Sequence, residues 1–248
     1  IPDGIETVGE NAFEGNEAVE EIVIPDSVKY VRKRAFADMK NLRRLEIGRG
    51  LYQTAYDMFD DSLKLEDIQV DSRNTILHVE DGVLRSNHNV GSAYYPGGRK
   101  NKTYHVPADM LNLHFAGNPY LEEIDLSRSV WNVNLQSLPN LRKISVDQNS
   151  PYFCAVDDVL YSRDMTKIIC YPNGKKGDTF FLPESVQTIG DGSYNPAFTR
   201  NKELENICFL GKCPGTDSGS ASSYSWLYGF EEGKAYYFYY YPDESWKE

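Results

Sequence analysis

The sequence predicts a mainly-β solenoid in which coils of about 23 residues stack their strands in parallel. Two observations indicate this fold. The first is a repeat that is visible by eye, since Ile24 follows Ile1 at the same interval at which Phe36 follows Phe13. The second is a short motif, with apolar residues at relative positions 1, 4 and 6, that recurs along the 248 residues. Self-similarity at a fixed period of this length is typical of repeat architectures.

The apolar motif predicts one short strand in each coil. Its last two apolar residues are two positions apart, so both point inward while the residue between them faces solvent. A strand of this length buries too little surface to be stable alone, but strands stacked at about 4.8 Å share one core. We therefore expect a parallel front sheet with strands centred on Val23, Glu46, Gln69, Asp125, Ser145 and Cys208.

A second apolar stripe predicts the return leg of each coil. It consists of valine or isoleucine pairs three positions apart, at Ile5 and Val8, Val28 and Val31, Val130 and Val133, and Val186 and Ile189. A large ring then fills the place where the coil turns back, so we expect four buried phenylalanines: Phe13, Phe36, Phe59 and Phe198. A proline directly after the strand lacks an N–H and ends the ladder, as at Pro2, Pro25, Pro107 and Pro183.

The repeat is interrupted twice, by segments of equal length. We call residues 71–105 the first insert and residues 147–181 the second insert; they align without a gap. In the second insert, Val159–Ser162 and Lys167–Tyr171 flank a polar stretch, which predicts a β-hairpin. Both inserts are therefore expected to be hairpin modules of the solenoid.

The tail differs in composition from the repeats. After Phe209 it has a polar stretch, GTDSGSASS, and then a tyrosine-rich segment from Tyr236 to Pro242. An open solenoid end exposes strand edges and core, so we expect this tail to cover the last coil. The predicted organisation is a solenoid over residues 1–208 and a C-terminal cap over residues 209–248.

Three motifs in a fixed order resemble one known family. They are the turn Ile24-Pro25-Asp26-Ser27-Val28, the pair Ala35-Phe36, and the strand motif Leu42, Leu45 and Ile47. Together they resemble the BspA-like, or Treponema pallidum-type, leucine-rich repeat family of surface proteins. The resemblance implies a right-handed leucine-rich-repeat solenoid, a bacterial cell-surface or secreted location, and adhesion to host proteins or other cells.

Charge and hydropathy disfavour several partners. The 37 acidic residues exceed the 26 basic residues, and the net charge of −11 repels nucleic acid and anionic lipid. No apolar run approaches the roughly 18 residues of a membrane span. The first residues already lie inside the repeat, so we expect any signal peptide or anchor to lie outside this chain.

The sequence contains no recognisable catalytic or metal-binding motif, and we expect neither a cofactor nor a metal. The histidines have no HExxH spacing, and the cysteines form no CxxC pair. Cys208 and Cys213 are either a disulfide across a turn or buried free thiols. The acidic clusters Asp57/Asp60/Asp61 and Asp157/Asp158 predict a solvated turn and a hairpin cap rather than calcium sites.

The candidate binding residues lie on two surfaces. The return strands place Tyr52, Leu111 and Trp131 in consecutive coils, so we expect them side by side, with Leu111 buried and Trp131 at least partly exposed. The alternative is that the first insert folds over them. The front sheet turns a polar row of both signs to solvent, which includes Arg44, Glu46, Asp67, Gln69, Glu123, Asp125 and Lys143.

The leading functional hypothesis is a non-catalytic binding or adhesion protein whose ligand is a protein or a glycan. A structural spacer or self-assembling stalk is the main alternative, and an enzyme with a carboxylate site that lacks a sequence motif is the remote one. A solvent-exposed apolar patch favours binding, and a uniformly polar surface favours the spacer. The sequence sets no oligomeric state.

Overall fold

The structure is a computed structural model that describes residues 1–55, 57–87, 92–115, 117–135, 138–190, 197–198, 201–210 and 237–240. These residues form 21 β-strands and no helix. The chain divides into two compact units. Unit 1 comprises Ile1–Asn101, Pro107–Tyr120 and Ser129–Ser137, and unit 2 comprises Lys102–Val106, Leu121–Arg128 and Leu138–Glu248.

Unit 1 begins with two parallel sheets, which are the two legs of the first three coils. The front sheet has the order β2-β4-β6 and the return sheet has the order β1-β3-β5. Inward positions lie opposite each other, as Ile22 lies opposite Leu45 and Leu45 opposite Ile68. The strands are β1 (Thr7–Val8), β2 (Glu21–Ile24), β3 (Tyr30–Val31), β4 (Arg44–Ile47), β5 (Gln53–Thr54) and β6 (Asp67–Val70).

A five-stranded sheet completes unit 1, in the order β13-β11-β9-β8-β7. The first insert supplies β7, β8 and β9, which are antiparallel to each other, and β9 then pairs in parallel with β11. The third strand of the insert, β9, is therefore also a return strand of the solenoid. The strands are β7 (Leu77–Glu80), β8 (Val83–Ser86), β9 (Ser92–Tyr95), β11 (Asn112–Phe115) and β13 (Asn132–Asn134).

Unit 2 contains the same components. One parallel front sheet has the order β10-β12-β14 and a second has the order β18-β20-β21. The second insert supplies the first three strands of the sheet β15-β16-β17-β19, in which β17 and β19 are parallel. The strands are β10 (Thr103–His105), β12 (Glu123–Leu126), β14 (Lys143–Val146), β15 (Phe153–Val156), β16 (Val159–Ser162), β17 (Lys167–Cys170), β18 (Thr179–Leu182), β19 (Thr188–Ile189), β20 (Asn206–Phe209) and β21 (Tyr237–Tyr240).

The predicted leucine-rich-repeat solenoid is confirmed, as are strands around all six predicted centres. Two further front strands, β10 and β18, lie in segments that the sequence analysis assigned to the inserts. Each insert also contains one strand more than the predicted hairpin, β7 in the first and β15 in the second. Most of the predicted cap lies outside the described residues. Its one described segment, β21, pairs in parallel with β20.

The coil length predicted from the repeat holds only for the first coils. Ile22 pairs with Leu45 at the full predicted interval, but Ile124 pairs with Ile144, so the later coil is shorter. The longer coils have an extra corner turn, which stacks through backbone hydrogen bonds such as Phe36 N–H to Met58 O at 2.6 Å. This corner needs a left-handed residue, which is Gly15, Asp38 or Asp61 in successive coils.

Aromatic rings fill the corners as predicted, with one correction. Phe36, Phe59 and Phe198 are buried, but Phe13 is only partly buried. Ile5, predicted to point into the core, is 42% exposed. Both residues lie within residues 1–23, where the structure describes a neighbouring coil on one side only.

Buried asparagines close the turns that lead into the strands. The Asn118 side chain donates to Pro96 O at 3.0 Å and Arg99 O at 2.7 Å, and its Oδ1 accepts the Tyr120 N–H at 2.8 Å. Asn74 and Asn201 make equivalent bonds in other coils. These side chains satisfy backbone groups of two successive coils, which would otherwise be buried without partners.

Replacing Phe36 with alanine is expected to lower the free energy of unfolding by about 3–5 kcal/mol, since a fully buried ring is removed from the core. Urea unfolding measures the loss. Phe181→Ala is the control, because this ring is 55% exposed, and we expect a loss below about 1 kcal/mol. A similarly small loss for Phe36→Ala would mean that the repeat period is wrongly assigned.

Asn118→Ala is expected to destabilise unit 1 by at least about 2 kcal/mol, because two buried carbonyl groups lose their donor and one N–H loses its acceptor. The matched control is Asn132→Ala at an exposed asparagine, for which a change within about 0.5 kcal/mol is expected. Equal effects of the two substitutions in thermal or urea unfolding would contradict the structural role of Asn118.

Candidate binding faces

The front sheet of unit 1 presents two rows of outward side chains. Strand alternation buries Ile22, Leu45 and Ile68 and turns their neighbours to solvent. Because the strands are in register, the outward residues align across the sheet. One row is Glu21, Arg44 and Asp67, and the other is Val23, Glu46 and Gln69.

Arg44 is the electrostatic centre of this face. Its guanidinium lies 2.6 Å from Glu46 and 3.6 Å from Asp67, and it donates to the Gln69 side chain at 3.2 Å. The structure thus brings together four predicted site residues of unit 1. All four side chains are partly exposed, so each ion pair contributes little to stability. The ion pairs hold the side chains of the row in a defined arrangement, although they add little to the stability of the fold.

The front sheet of unit 2 carries an equivalent arrangement around Glu123. This carboxylate lies 3.4 Å from Arg142 and 3.8 Å from Lys143, which is its register partner on the next strand. Asp125 lies 2.6 Å from the His105 ring nitrogen Nδ1. The remaining predicted front-face residues, Glu123, Asp125 and Lys143, therefore form a second cluster of cross-strand pairs.

Trp131 and Tyr52 are the exposed aromatic residues that the sequence analysis selected. Trp131 is 52% exposed and Tyr52 is 49% exposed. Neither position is loosely held, since the Trp131 N–H donates to Leu111 O and the Tyr52 N–H donates to Lys29 O, each at 3.0 Å. The exposure predicted for Trp131 is confirmed.

The expected side-by-side arrangement is confirmed for Leu111 and Trp131, which lie beside each other at the start of β11 and β13, and is wrong for Tyr52. Strand β11, which follows Leu111, pairs with β9 of the first insert and not with β5, which follows Tyr52. The insert thus places its own strand in the return leg. Leu111, predicted to be buried, is only partly buried, because it precedes the first paired residue of β11.

The first insert does not cover Trp131. In the five-stranded sheet, β13 beside Trp131 is at one edge, and the hairpin strand β7 is at the other. The hairpin therefore extends the sheet sideways instead of folding over its face. Trp131 remains accessible from solvent within unit 1.

Sequence reasoning missed Phe181 and misplaced Cys208. Phe181 lies on β18 between the inward Phe180 and Leu182, and the alternation of this segment was the signal that would have revealed it as exposed. Cys208, predicted to face solvent on β20, is instead buried. It lies in a central strand between β18 and β21, and burial raises the pKa of its thiol.

The acidic turn at Asp57, Asp60 and Asp61 is not simply solvated. Asp60 Oδ1 lies 2.7 Å from His114 Nε2, and both side chains are largely buried. The Tyr94 ring packs against both Phe59 and His114. This group covers the corner where a coil that has the extra turn meets a shorter coil that lacks it, and its role there is structural.

Among the described residues, neither a disulfide nor a group of metal ligands contributes to these faces. Cys154, Cys170 and Cys208 are free thiols. Cys213 lies outside the described residues. No group of three or more potential metal ligands occurs among the residues that the structure describes. Within the same residues, no helix has the length and apolar character needed to cross a lipid bilayer.

A charged ladder lines the turn that follows the front strands of unit 1. Asp26 accepts the Arg49 N–H at 3.0 Å and lies 2.9 Å from its guanidinium. One coil further, Asp71 accepts bonds from the Arg73 side chain at 2.5 and 3.0 Å and from its backbone N–H at 2.8 Å. These bonds lower the pKa of Asp71 to about 2.

Parallel coils, inward leucines and charged outer faces define a leucine-rich-repeat protein. Comparison with known families identifies the type of repeat, because residues 1–101 match the BspA type leucine rich repeat region in six copies. The predicted resemblance to the BspA type is therefore confirmed over residues 1–101. No curated protein matches the chain.

Two solved structures resemble the chain. A leucine rich cell surface protein from Faecalibacterium prausnitzii A2-165 has a TM-score of 0.64 and 19% sequence identity, and the match covers 100% of this chain and 60% of that one. A leucine-rich repeat protein from Eubacterium ventriosum has a TM-score of 0.46 and 19% identity, and covers 87% of this chain and 48% of that one. The chain thus spans about three fifths of the first relative and half of the second. At this identity, the first match shows the fold alone.

The Asp71–Arg73 pair makes stability depend on acid pH. An aspartate in an unfolded chain has a pKa of about 3.9, so the folded protein holds this proton less tightly. The stabilisation is therefore complete above about pH 4 and is lost as the pH falls through about 2. In an NMR titration of the Asp71 carboxyl carbon, we expect a midpoint near 2 that moves towards 4 in Arg73→Ala. A midpoint near 4 in the unchanged protein would contradict the pairing.

Proposed function

We propose that this chain is a non-catalytic binding protein, at the bacterial cell surface or secreted, that engages a protein or glycan ligand. The single observation that carries the proposal is the half-exposed Trp131 on a rigid sheet. The ligand-facing role of this residue is a proposal, as is that of every other residue named below.

The position of Trp131 suits a binding anchor. Exposed tryptophan and tyrosine are enriched among the residues that dominate binding energy. The parallel pairing of β11 and β13 positions the backbone beside the indole before any ligand arrives. Less ordering entropy is therefore lost on binding than when an aromatic residue lies on a loose loop.

The two front faces complement this anchor in different ways. We propose that Arg44, Glu46, Asp67 and Gln69 in unit 1 act as polar contacts, together with the exposed Tyr52. In unit 2 the proposed contacts are Glu123, Asp125 and Lys143. Charged rows of both signs favour orientation and selectivity over raw affinity. The acidic excess of the whole chain favours neutral or basic ligands over nucleic acids.

Three carboxylates of the chain have lowered pKa values and are therefore unsuited to the role of a general acid. The Lys102 ammonium lowers the pKa of Glu122, the Arg85 guanidinium lowers that of Asp109, and the Ser162 hydroxyl lowers that of Asp164. Lowered values keep these groups as carboxylates at neutral pH. A general acid needs the opposite shift, towards neutrality.

The proposed location rests on the fold neighbour. The Faecalibacterium prausnitzii protein is described as a leucine rich cell surface protein. We propose the same location for this chain, where a stack of coils presents side chains to other cells or to the host. The specific ligand is the object of the experiment below.

Trp131→Ala is expected to weaken ligand binding at least tenfold, because an anchor of this kind contributes more than about 1–2 kcal/mol. The purified chain is first screened on glycan and host-protein arrays, and the strongest ligand is then used for affinity measurements. The melting temperature should change by less than about 2 °C, since the indole is half exposed.

Tyr152→Ala is the matched control, because Tyr152 is another aromatic residue with 47% exposure but lies in unit 2. It should leave affinity within twofold of the unchanged chain. If Trp131→Ala lowers the melting temperature by several degrees and leaves binding unchanged, Trp131 is structural and the proposal is wrong. A chain that retains no array ligand at all would favour the structural spacer.

A further inference from the structure

Two exposed aromatic residues of unit 1 are each followed along the chain by an exposed amide residue. Tyr52 precedes Gln53, and Trp131 precedes Asn132; we call these the Tyr52 pair and the Trp131 pair. In each pair the aromatic side chain is about half exposed, and the amide residue is the first residue of a return strand, β5 or β13. The same two side-chain chemistries therefore occur at the same place in two coils.

The backbone holds both pairs in the same geometry. The two N–H groups of the Tyr52 pair both donate to Lys29 O, at 3.0 and 3.1 Å. The two N–H groups of the Trp131 pair both donate to Leu111 O, at 3.0 and 3.3 Å. Each accepting carbonyl belongs to the return leg of the preceding coil, so the stacking of the coils positions ring and amide before a ligand binds.

The amide side chains beside the rings are available to a ligand. In the part of the chain that the structure describes, no hydrogen bond engages the side chain of Gln53 or Asn132. The same holds for Asn112, which lies opposite Asn132 in the ladder. A primary amide offers both donors and an acceptor, so each pair combines a flat apolar ring with hydrogen-bonding groups of both kinds.

The surroundings of Trp131 suit one small ring better than a protein surface. Among the described residues of the five-stranded sheet beside it, no large apolar side chain is exposed. A stable protein interface buries about 800 Å² on each partner, and its centre is apolar. One isolated indole provides too little apolar surface for such a centre. It matches the C–H face of a pyranose ring, however, and the amides match the hydroxyl groups of that ring.

The electrostatics of the two pairs favour an uncharged sugar over an acidic one. Strands β11 and β13 contain no lysine, arginine, aspartate or glutamate. The Tyr52 pair adjoins Lys29, but the Lys29 ammonium lies 2.6 Å from the Glu6 carboxylate. The net charge of −11 also repels acidic sugars.

We propose that the Tyr52 pair and the Trp131 pair are two equivalent subsites for uncharged sugar rings of a glycan. At each subsite a pyranose ring packs its C–H face on the aromatic side chain, while Gln53 or Asn132 bonds the hydroxyl groups. Gln53 and Asn132 belong to different sheets, so each subsite holds its own ring. This inference rests on the proposed function, because it names the class of ligand that Trp131 binds.

The test is an NMR titration of the full chain with neutral hexasaccharides of glucose, galactose, mannose and N-acetylglucosamine. We expect at least one of these sugars to shift the signals of the Trp131 indole N–H and of the Gln53 and Asn132 side-chain amides. Hexagalacturonic acid is an acidic chain of the same length and should bind about tenfold more weakly because of charge repulsion. Equally tight binding of the acidic chain would contradict the uncharged ligand class.

Single substitutions separate the two subsites. Trp131→Ala should weaken sugar binding at its own subsite about tenfold and leave the response of the Gln53 amide unchanged; Tyr52→Ala should have the converse effect. Asn132→Ala should weaken binding at the Trp131 pair about fivefold, because hydrogen bonds to the sugar are lost. The matched control is Asn101→Ala, at another exposed asparagine of unit 1, which should leave both affinities within about twofold.

The outcomes distinguish this inference from the proposed function. Sugar binding that depends on Trp131 at one subsite and on Tyr52 at the other supports the inference. If no neutral hexasaccharide binds but a protein from the host-protein array binds in a manner that depends on Trp131, the glycan assignment is overturned and the proposed function remains. If neither a sugar nor a protein binds, both are wrong. Sugar binding that survives the combined Tyr52→Ala and Trp131→Ala substitutions would overturn the two subsites.

Discussion

Only some of the polar backbone groups in the turns of a β coil find a partner inside that coil, so the neighbouring coil has to supply partners for the rest. Buried asparagines meet this constraint in both units. In unit 1, Asn74 bonds the backbone of the preceding coil through its amide nitrogen and that of its own coil through its oxygen. In unit 2, Asn201 does the same with Pro172, Lys175, Glu203 and Leu204. Leaving such groups buried without partners would cost about 1–3 kcal/mol for each group.

Coil-to-coil bonding also explains why the backbones approach so closely at the corners. A Cβ atom on Gly98 would lie 2.5 Å from the backbone of Lys64, and one on Gly174 would lie 2.7 Å from the backbone of Asn140. Only glycine fits where two coils are in backbone contact. Inward side chains, turns and corners are therefore tightly constrained, whereas the outward residues of each strand are not. The outward residues that we propose as ligand contacts are thus the ones that stability leaves free to vary.

The sequence predicted the elements that follow from alternation and period, and it missed those that depend on contacts between coils. All six motif strands were found because their leucines mark them. Strands β10 and β18 were missed because Asn101 and Gly177 stand where the motif has its first leucine, although Tyr104 and Phe180 keep the inward position. The expected proximity of Tyr52 and Trp131 was wrong because the period of the repeat does not show which strand an insert adds to a sheet. The buried asparagines were missed because they lie in the turns before the strands and are not part of the strand motif.

The inserts show how the solenoid gains surface without breaking its ladder. The third strand of each insert, β9 or β17, takes the place of a return strand, so the parallel order of the coils is kept. Only the preceding two strands are additional, and they attach at the sheet edge. The equivalent residue of β8 and β16 can then differ in chemistry: Tyr161 is buried among apolar residues, whereas Arg85 is buried and pairs with Asp109 at 2.5 Å. Because the added strands are not return strands of the coils, such a change alters the interior of a module and does not touch the asparagine bonds between coils.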